Sequence, residues 1–133
     1  MAAGAVASVL GGVIAAAPAI ASSDPGACAP NGRVSIDGPE YVCSLWTGHV
    51  PVYDQAIDTA NVVGYLNYGG RANWFTTQCL GTETFIGNAY NNWWALTEAD
   101  NGHWGFVPLT YFSGGANNQA SSVLPVVPGW GCR

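Results

Sequence analysis

Apolar and polar residues alternate with a period of two in several short runs of this chain, and no stretch shows sustained helical periodicity. Arg33-Val34-Ser35-Ile36 and Glu40-Tyr41-Val42-Cys43 each alternate in this way and predict two short strands. Val62-Val63-Gly64-Tyr65-Leu66 is a β-branched run that ends at Gly69-Gly70, and Trp74-Phe75-Thr76-Thr77-Gln78-Cys79 predicts a further strand. Residues 93–98 and 103–107 flank Asp100-Asn101-Gly102. An Asn-Gly pair between two aromatic-rich strands predicts a hairpin whose two central residues both take positive φ. Strands spaced by about 8–12 residues imply an all-β barrel or sandwich. The central unit, residues 50–112, has the size of a small closed barrel.

Turn residues dominate on either side. Asp24-Pro25-Gly26, Pro30-Asn31-Gly32 and Asp37-Gly38-Pro39 break residues 22–49 every few positions. The tail, residues 113–133, opens with Ser-Gly-Gly-Ala-Asn-Asn-Gln-Ala-Ser-Ser, the composition of a flexible linker. Residues 2–21 carry no charge and end in Ala19-Ile20-Ala21, which places small residues at positions −3 and −1 of a cleavage site. Residues 1–21 are therefore expected to be a secretory signal peptide rather than a membrane anchor, since Gly4, Gly11, Gly12 and Pro18 interrupt a modestly apolar run. No Lys or Arg precedes that run, which points to a translation start upstream of Met1.

Composition narrows the partners. The chain has 133 residues, 3 cationic and 8 acidic side chains and a formal charge of −5. Phosphate binding needs clustered cations, so nucleic acid and anionic membranes are not expected partners. Four cysteines in an exported chain favour two disulfides over a metal site. Spacings of 15, 36 and 53 residues contain no close pair of the kind zinc sites use. Three connectivities are open, of which we favour Cys28–Cys43, closing the N-terminal extension, and Cys79–Cys132, tying down the tail. No Asn-x-Ser/Thr sequon occurs.

The central unit resembles a Src-homology-3 domain. Trp93-Trp94-Ala95, then Asn101-Gly102, then Gly105-Phe106-Val107-Pro108-Leu109-Thr110-Tyr111-Phe112 follow the order of that family's second half. Pro51-Val52-Tyr53-Asp54 stands where its Ala-Leu-Tyr-Asp-Tyr run begins, although Gln55-Ala56 replaces the later tyrosine. Residues 61–66 and 102–107 are also similar to bacterial Src-homology-3-like domains of exported proteins. Residues 80–91 are an insertion relative to compact members. The resemblance implies a small barrel with a disulfide-bonded extension and tail, acting as a noncatalytic module for a peptide or cell-wall polymer. By position it implies a groove of Tyr53, Trp93, Pro108 and Tyr111, with Asp54 and Asp58 on an acidic loop beside it.

Trp93 and Trp94 are adjacent on a strand and face opposite sides, so one of them is expected on a recognition surface. Alternatively the insertion covers one and the barrel the other. Trp74 and Trp104 read as core, and Trp46 and Trp130 as covers for the barrel's ends. Exposed aromatics would also suit sugar rings. Asp54 and Asp58 could simply be solvated loop residues. Glu98 and Asp100 lack the remaining ligands of a calcium loop, and His49 and His103 have no companions at metal-ligand spacing. No Gly-x-Ser-x-Gly elbow occurs, and paired cysteines leave no thiol nucleophile. The expectation is a monomeric, cofactor-free, secreted binding module. Its rivals are a disulfide-bonded inhibitor or effector of an extracellular protein, acting through residues 80–91, and a small hydrolase.

Overall fold

A computed structural model describes residues 24–132. The proposed signal segment lies outside them. Among the described residues, nine strands form two sheets: β1 (Ala29–Ser35), β2 (Gly38–Leu45), β3 (Val50–Tyr53), β4 (Val62–Leu66), β5 (Gly70–Phe75), β6 (Gln78–Ile86), β7 (Ala89–Glu98), β8 (Trp104–Pro108) and β9 (Val126–Trp130). The six-stranded sheet runs β9-β6-β7-β8-β3-β4 and the three-stranded sheet β1-β2-β5. Every pairing is antiparallel except β9 with β6. Neither sheet closes on itself, so the architecture is an all-β, two-sheet fold with edges at β9, β4, β1 and β5.

The run from Trp74 to Cys79, expected as one strand, is two. β5 ends at Phe75 and β6 begins at Gln78. At this corner the Thr76 N–H donates to Leu96 O, and the Leu96 N–H donates to Thr77 O, both at 3.0 Å. The chain thereby leaves one sheet and enters the other while its backbone groups stay paired against β7.

The Asn-Gly hairpin forms between β7 and β8, but its turn differs from the expectation. Glu98 pairs with Trp104, which makes a five-residue connection, and of its residues only Gly102 has positive φ, at 90°. The Gly102 N–H closes on Ala99 O (2.8 Å) and the Ala99 N–H on His103 O (2.7 Å). A tight turn followed by one left-handed residue meets the twist of the strands with a single glycine.

Both favoured disulfides form, Cys28–Cys43 and Cys79–Cys132. The main core gathers Cys43, Leu45, Val50, Val52, Leu66, Phe75, Ala95, Val107 and Phe112, all at most 2% exposed. The N-terminal extension thus shares one interior with the central unit. A second cluster on the opposite face of the larger sheet holds Ala56, Cys79, Trp94 and Phe106. Strand alternation produces the division: Trp94 and Phe106 face one way, Ala95 and Val107 the other.

The Ser/Gly/Asn-rich segment after Phe112 does not run free. Gln78, wholly buried, donates through Nε2 to Ser121 O (2.7 Å) and Leu124 O (2.8 Å) and accepts from the Ser121 N–H at Oε1 (2.9 Å). The Asn118 N–H reaches Tyr90 O (3.1 Å), and the Gly26 N–H reaches Ser113 O (2.7 Å). A buried amide whose three bonds all go to one segment holds that segment in place, because breaking them would strand polar groups in the interior.

Candidate functional site: an aromatic cleft

Tyr53, the last residue of β3, projects toward the short 3-10 turn Leu109–Tyr111 that follows β8. Between them lies a cleft of about 280 Å³, lined by Tyr53, Asp58, Pro108 and Tyr111 and closed on the other side by Thr84, Phe85 and Ile86 of β6. Four of the six residues expected in the groove therefore share one cavity. Pro108 forms the floor and is itself wholly buried, so it offers shape more than contact area. Phe85 is 66% exposed and leans on Tyr90, with ring centroids 5.7 Å apart.

Trp93 is not at this cleft. Its side chain is half-buried against the main core, on the face of β7 that also carries Ala95. Trp94 is the tryptophan beside the cleft. It meets Tyr53 edge-on at 5.5 Å and pairs across the ladder with Pro108, yet it is completely buried. Its indole N–H donates to Thr82 O (2.8 Å). The cover comes from two segments. Residues 54–61 fold over the ring, with the Thr82 N–H donating to Ala56 O (3.1 Å) and the Asp58 N–H to Thr82 Oγ1 (2.8 Å). At Gly81 any Cβ would overlap Ala56 O and the Trp94 ring, so only glycine allows β6 to approach this closely.

Residues 80–91 form the outer half of the β6–β7 hairpin rather than a separate loop. Their inner part seals Trp94 and their outer part supplies Phe85 to the cleft. Asp54 lies next to Tyr53, where its backbone N–H closes the covering loop on Asn61 O (2.9 Å), and it does not line the cavity.

The cleft has an acidic, partly dehydrated character. Burial raises the Tyr53 phenol above its ordinary value, and the neighbouring Tyr111, Asp58 and Tyr65 raise it further. Burial alone raises Tyr111. Both phenols are neutral donors near pH 7, and Asp58 supplies the one carboxylate of the lining. Trp46 continues the aromatic surface: it stacks on Tyr111 at 5.9 Å and 20°, and its indole N–H donates to Thr110 O (2.8 Å). Trp46 is 52% exposed, so this rigid ring faces solvent.

A second concavity was not anticipated from the sequence. A basin of about 570 Å³ lies on the outer face of the three-stranded sheet, lined by Asn31, Arg33, Glu40, Val42, Ala72, Trp74 and Glu98. The alternation of β2 and β5 signals this face, since positions 40 and 42 and positions 72 and 74 project together, opposite Cys43 and Phe75. Trp74, expected in the core, is half-buried there and meets Trp104 edge-on at 5.6 Å. Among the described residues, no helix is long and apolar enough to cross a membrane, and no cluster of three or more His, Cys, Asp or Glu could hold a metal ion. Comparison of the chain with protein-family models, with curated proteins and with solved structures gives no match in any of the three.

Proposed function

We propose that this protein is a secreted, noncatalytic binding module that holds an extended peptide, or the peptide part of a cell-wall polymer, in the aromatic cleft. The observation that carries the reading is the convergence of Tyr53, Tyr111, Phe85 and Asp58 on one cavity. Flat aromatic faces take the apolar surface of an extended chain, the phenols donate to its carbonyls, and the carboxylate pairs with a basic group. The net charge of −5 favours the same kind of ligand. Two disulfides and the apolar segment 2–21 support an extracellular location.

The fold is read here as a Src-homology-3-like barrel, opened and extended by β1, β2 and β9. In support, β7, β8, β3 and β4 follow one another as antiparallel neighbours, and a 3-10 turn succeeds β8 directly. A bridge from Leu45 to Phe112 and the corner at Thr76 draw the two sheets together.

The test is retention of the oxidised protein on insoluble peptidoglycan, with chitin and cellulose in parallel. Retention on peptidoglycan alone, lost in Tyr111→Ala and reduced in Asp58→Asn, is the expected result. Absence of retention on every polymer would contradict the cell-wall reading and leave an extracellular protein as the partner.

A further inference from the structure

The polar basin is the larger of the two concavities, and its chemistry differs from that of the cleft. Its position follows from the strands. Between Pro30 and Val34 the register of β1 against β2 shifts, so Asn31, Gly32 and Arg33 together stand opposite Glu40. Gly32 takes φ 80° with no atom near its Cβ position, which lets the strand bulge and aim Asn31 and Arg33 into the basin. Val42 and Trp74 are direct cross-strand partners and form the apolar floor and wall. Glu98, at the end of β7, closes the far side.

Glu40 is the telling residue. It is only 7% exposed, yet it lines the basin. Asn31 Nδ2 donates to Glu40 Oε1 (3.0 Å), while among the described residues Oε2 receives no hydrogen bond. Held by Asn31 on one oxygen and open to the basin on the other, this carboxylate presents a fixed acceptor to whatever enters. Arg33 shares the cavity without forming an ion pair with either carboxylate among the described residues. The basin therefore presents an aromatic wall, two carboxylates, one guanidinium and one amide, with an excess of one negative charge.

We propose that this basin binds an amino sugar, a pyranose ring carrying a free ammonium group. The C–H face of such a ring packs on Trp74, its ammonium lies between Glu40 and Glu98, and its hydroxyls pair with Arg33 and Asn31. A lysine side chain would satisfy the carboxylates but offer no acceptor to the Arg33 guanidinium. The basin volume lies within the range of small-ligand sites, about 300–1,000 Å³.

The experiment titrates the oxidised protein with a fully deacetylated glucosamine tetramer, following amide shifts and tryptophan fluorescence, with the N-acetylated tetramer and trilysine alongside. The deacetylated tetramer is expected to bind and to shift Arg33, Glu40, Trp74 and Glu98. Glu98→Gln, which keeps the side chain's shape, is expected to weaken it about tenfold, the loss of one charge-assisted contact. Arg33→Ser, at an exposed position, is a second variant expected to weaken binding several-fold without touching the core. Tyr111→Ala should leave this affinity unchanged, which separates the basin from the cleft. No binding, equal binding of the acetylated tetramer, tighter binding of trilysine, or an affinity indifferent to both basin variants would each overturn the proposal.

Discussion

The aromatic cleft draws its lining from a strand end, a covering loop, a hairpin and a 3-10 turn, whereas the polar basin takes six of its seven residues from alternate positions on three neighbouring strands. The two are also fastened differently. Cys28–Cys43 ties β2, which carries the basin, to the segment before β1, while Cys79–Cys132 ties β6, which walls the cleft, to the tail. Surfaces built on strand faces inherit their geometry from hydrogen-bonded ladders. Surfaces built from loops depend on whatever lies beneath them, and beneath the cleft lies Trp94.

The largest expected effect is accordingly at Trp94. Trp94→Ala removes a completely buried ring together with the surface on which residues 54–61 rest. Chemical denaturation should show a loss of about 3–5 kcal/mol, with loss of cleft binding in the molecules that remain folded. Trp93→Ala should cost less and leave cleft binding intact, because Trp93 lines no part of the cavity. A loss below about 1 kcal/mol at Trp94 would mean that the loop does not seal the ring.

Removing the bridges separates the two regions next. In the chain-entropy account, replacing Cys79 and Cys132 with serine costs about 4 kcal/mol for the 53-residue separation, and replacing Cys28 and Cys43 about 3 kcal/mol for 15 residues. The first pair should loosen the cleft side and the second the basin side, as amide hydrogen exchange in each variant would report. Uniform loosening in both would erase the distinction.

Much of the architecture was legible in the residues. Residues 62–66 were bounded correctly as a strand because a β-branched run ended at a glycine pair. The hairpin at Asn101-Gly102 followed from a turn signal, while the two disulfides are the favoured one of three pairings that the cysteine spacing left open. The break at Thr76-Thr77 was not legible, since a run of β-formers carries no mark where it changes sheets. Nor was the fixing of the tail, because Gln78 is a polar residue whose partners lie 43 and 46 positions away. The cleft's four shared residues came through the family resemblance. The exchange of roles between Trp93 and Trp94 could not, because it depends on residues 80–91 and on the glycine at position 81.

Smaller effects sharpen the comparison. Asp58→Asn should weaken a basic ligand in the cleft about tenfold, leave a neutral ligand unaffected and do nothing to the basin. Calorimetric titration of each surface checks all three statements. Smallest of all is a pH effect. The Tyr53 and Tyr111 phenols are raised in the folded state, so the unfolded chain loses these protons first as pH climbs. Their contribution is complete below about pH 10, the unfolded value, and is lost as pH rises from there through the folded values. Spectrophotometric titration should show both phenols ionising late, with Asp58→Asn moving Tyr53 part of the way back.

The central claim is that the cleft, and not the Trp93 face, receives the peptide. It is tested most directly by an NMR titration of the oxidised protein with soluble peptidoglycan-derived peptides that carry a free side-chain amine. The account predicts saturable shifts of the aromatic signals of Tyr53, Phe85 and Tyr111 together with the Asp58 amide, and none at Trp93. Shifts centred on Trp93, or no shifts at all at saturating peptide, would contradict it.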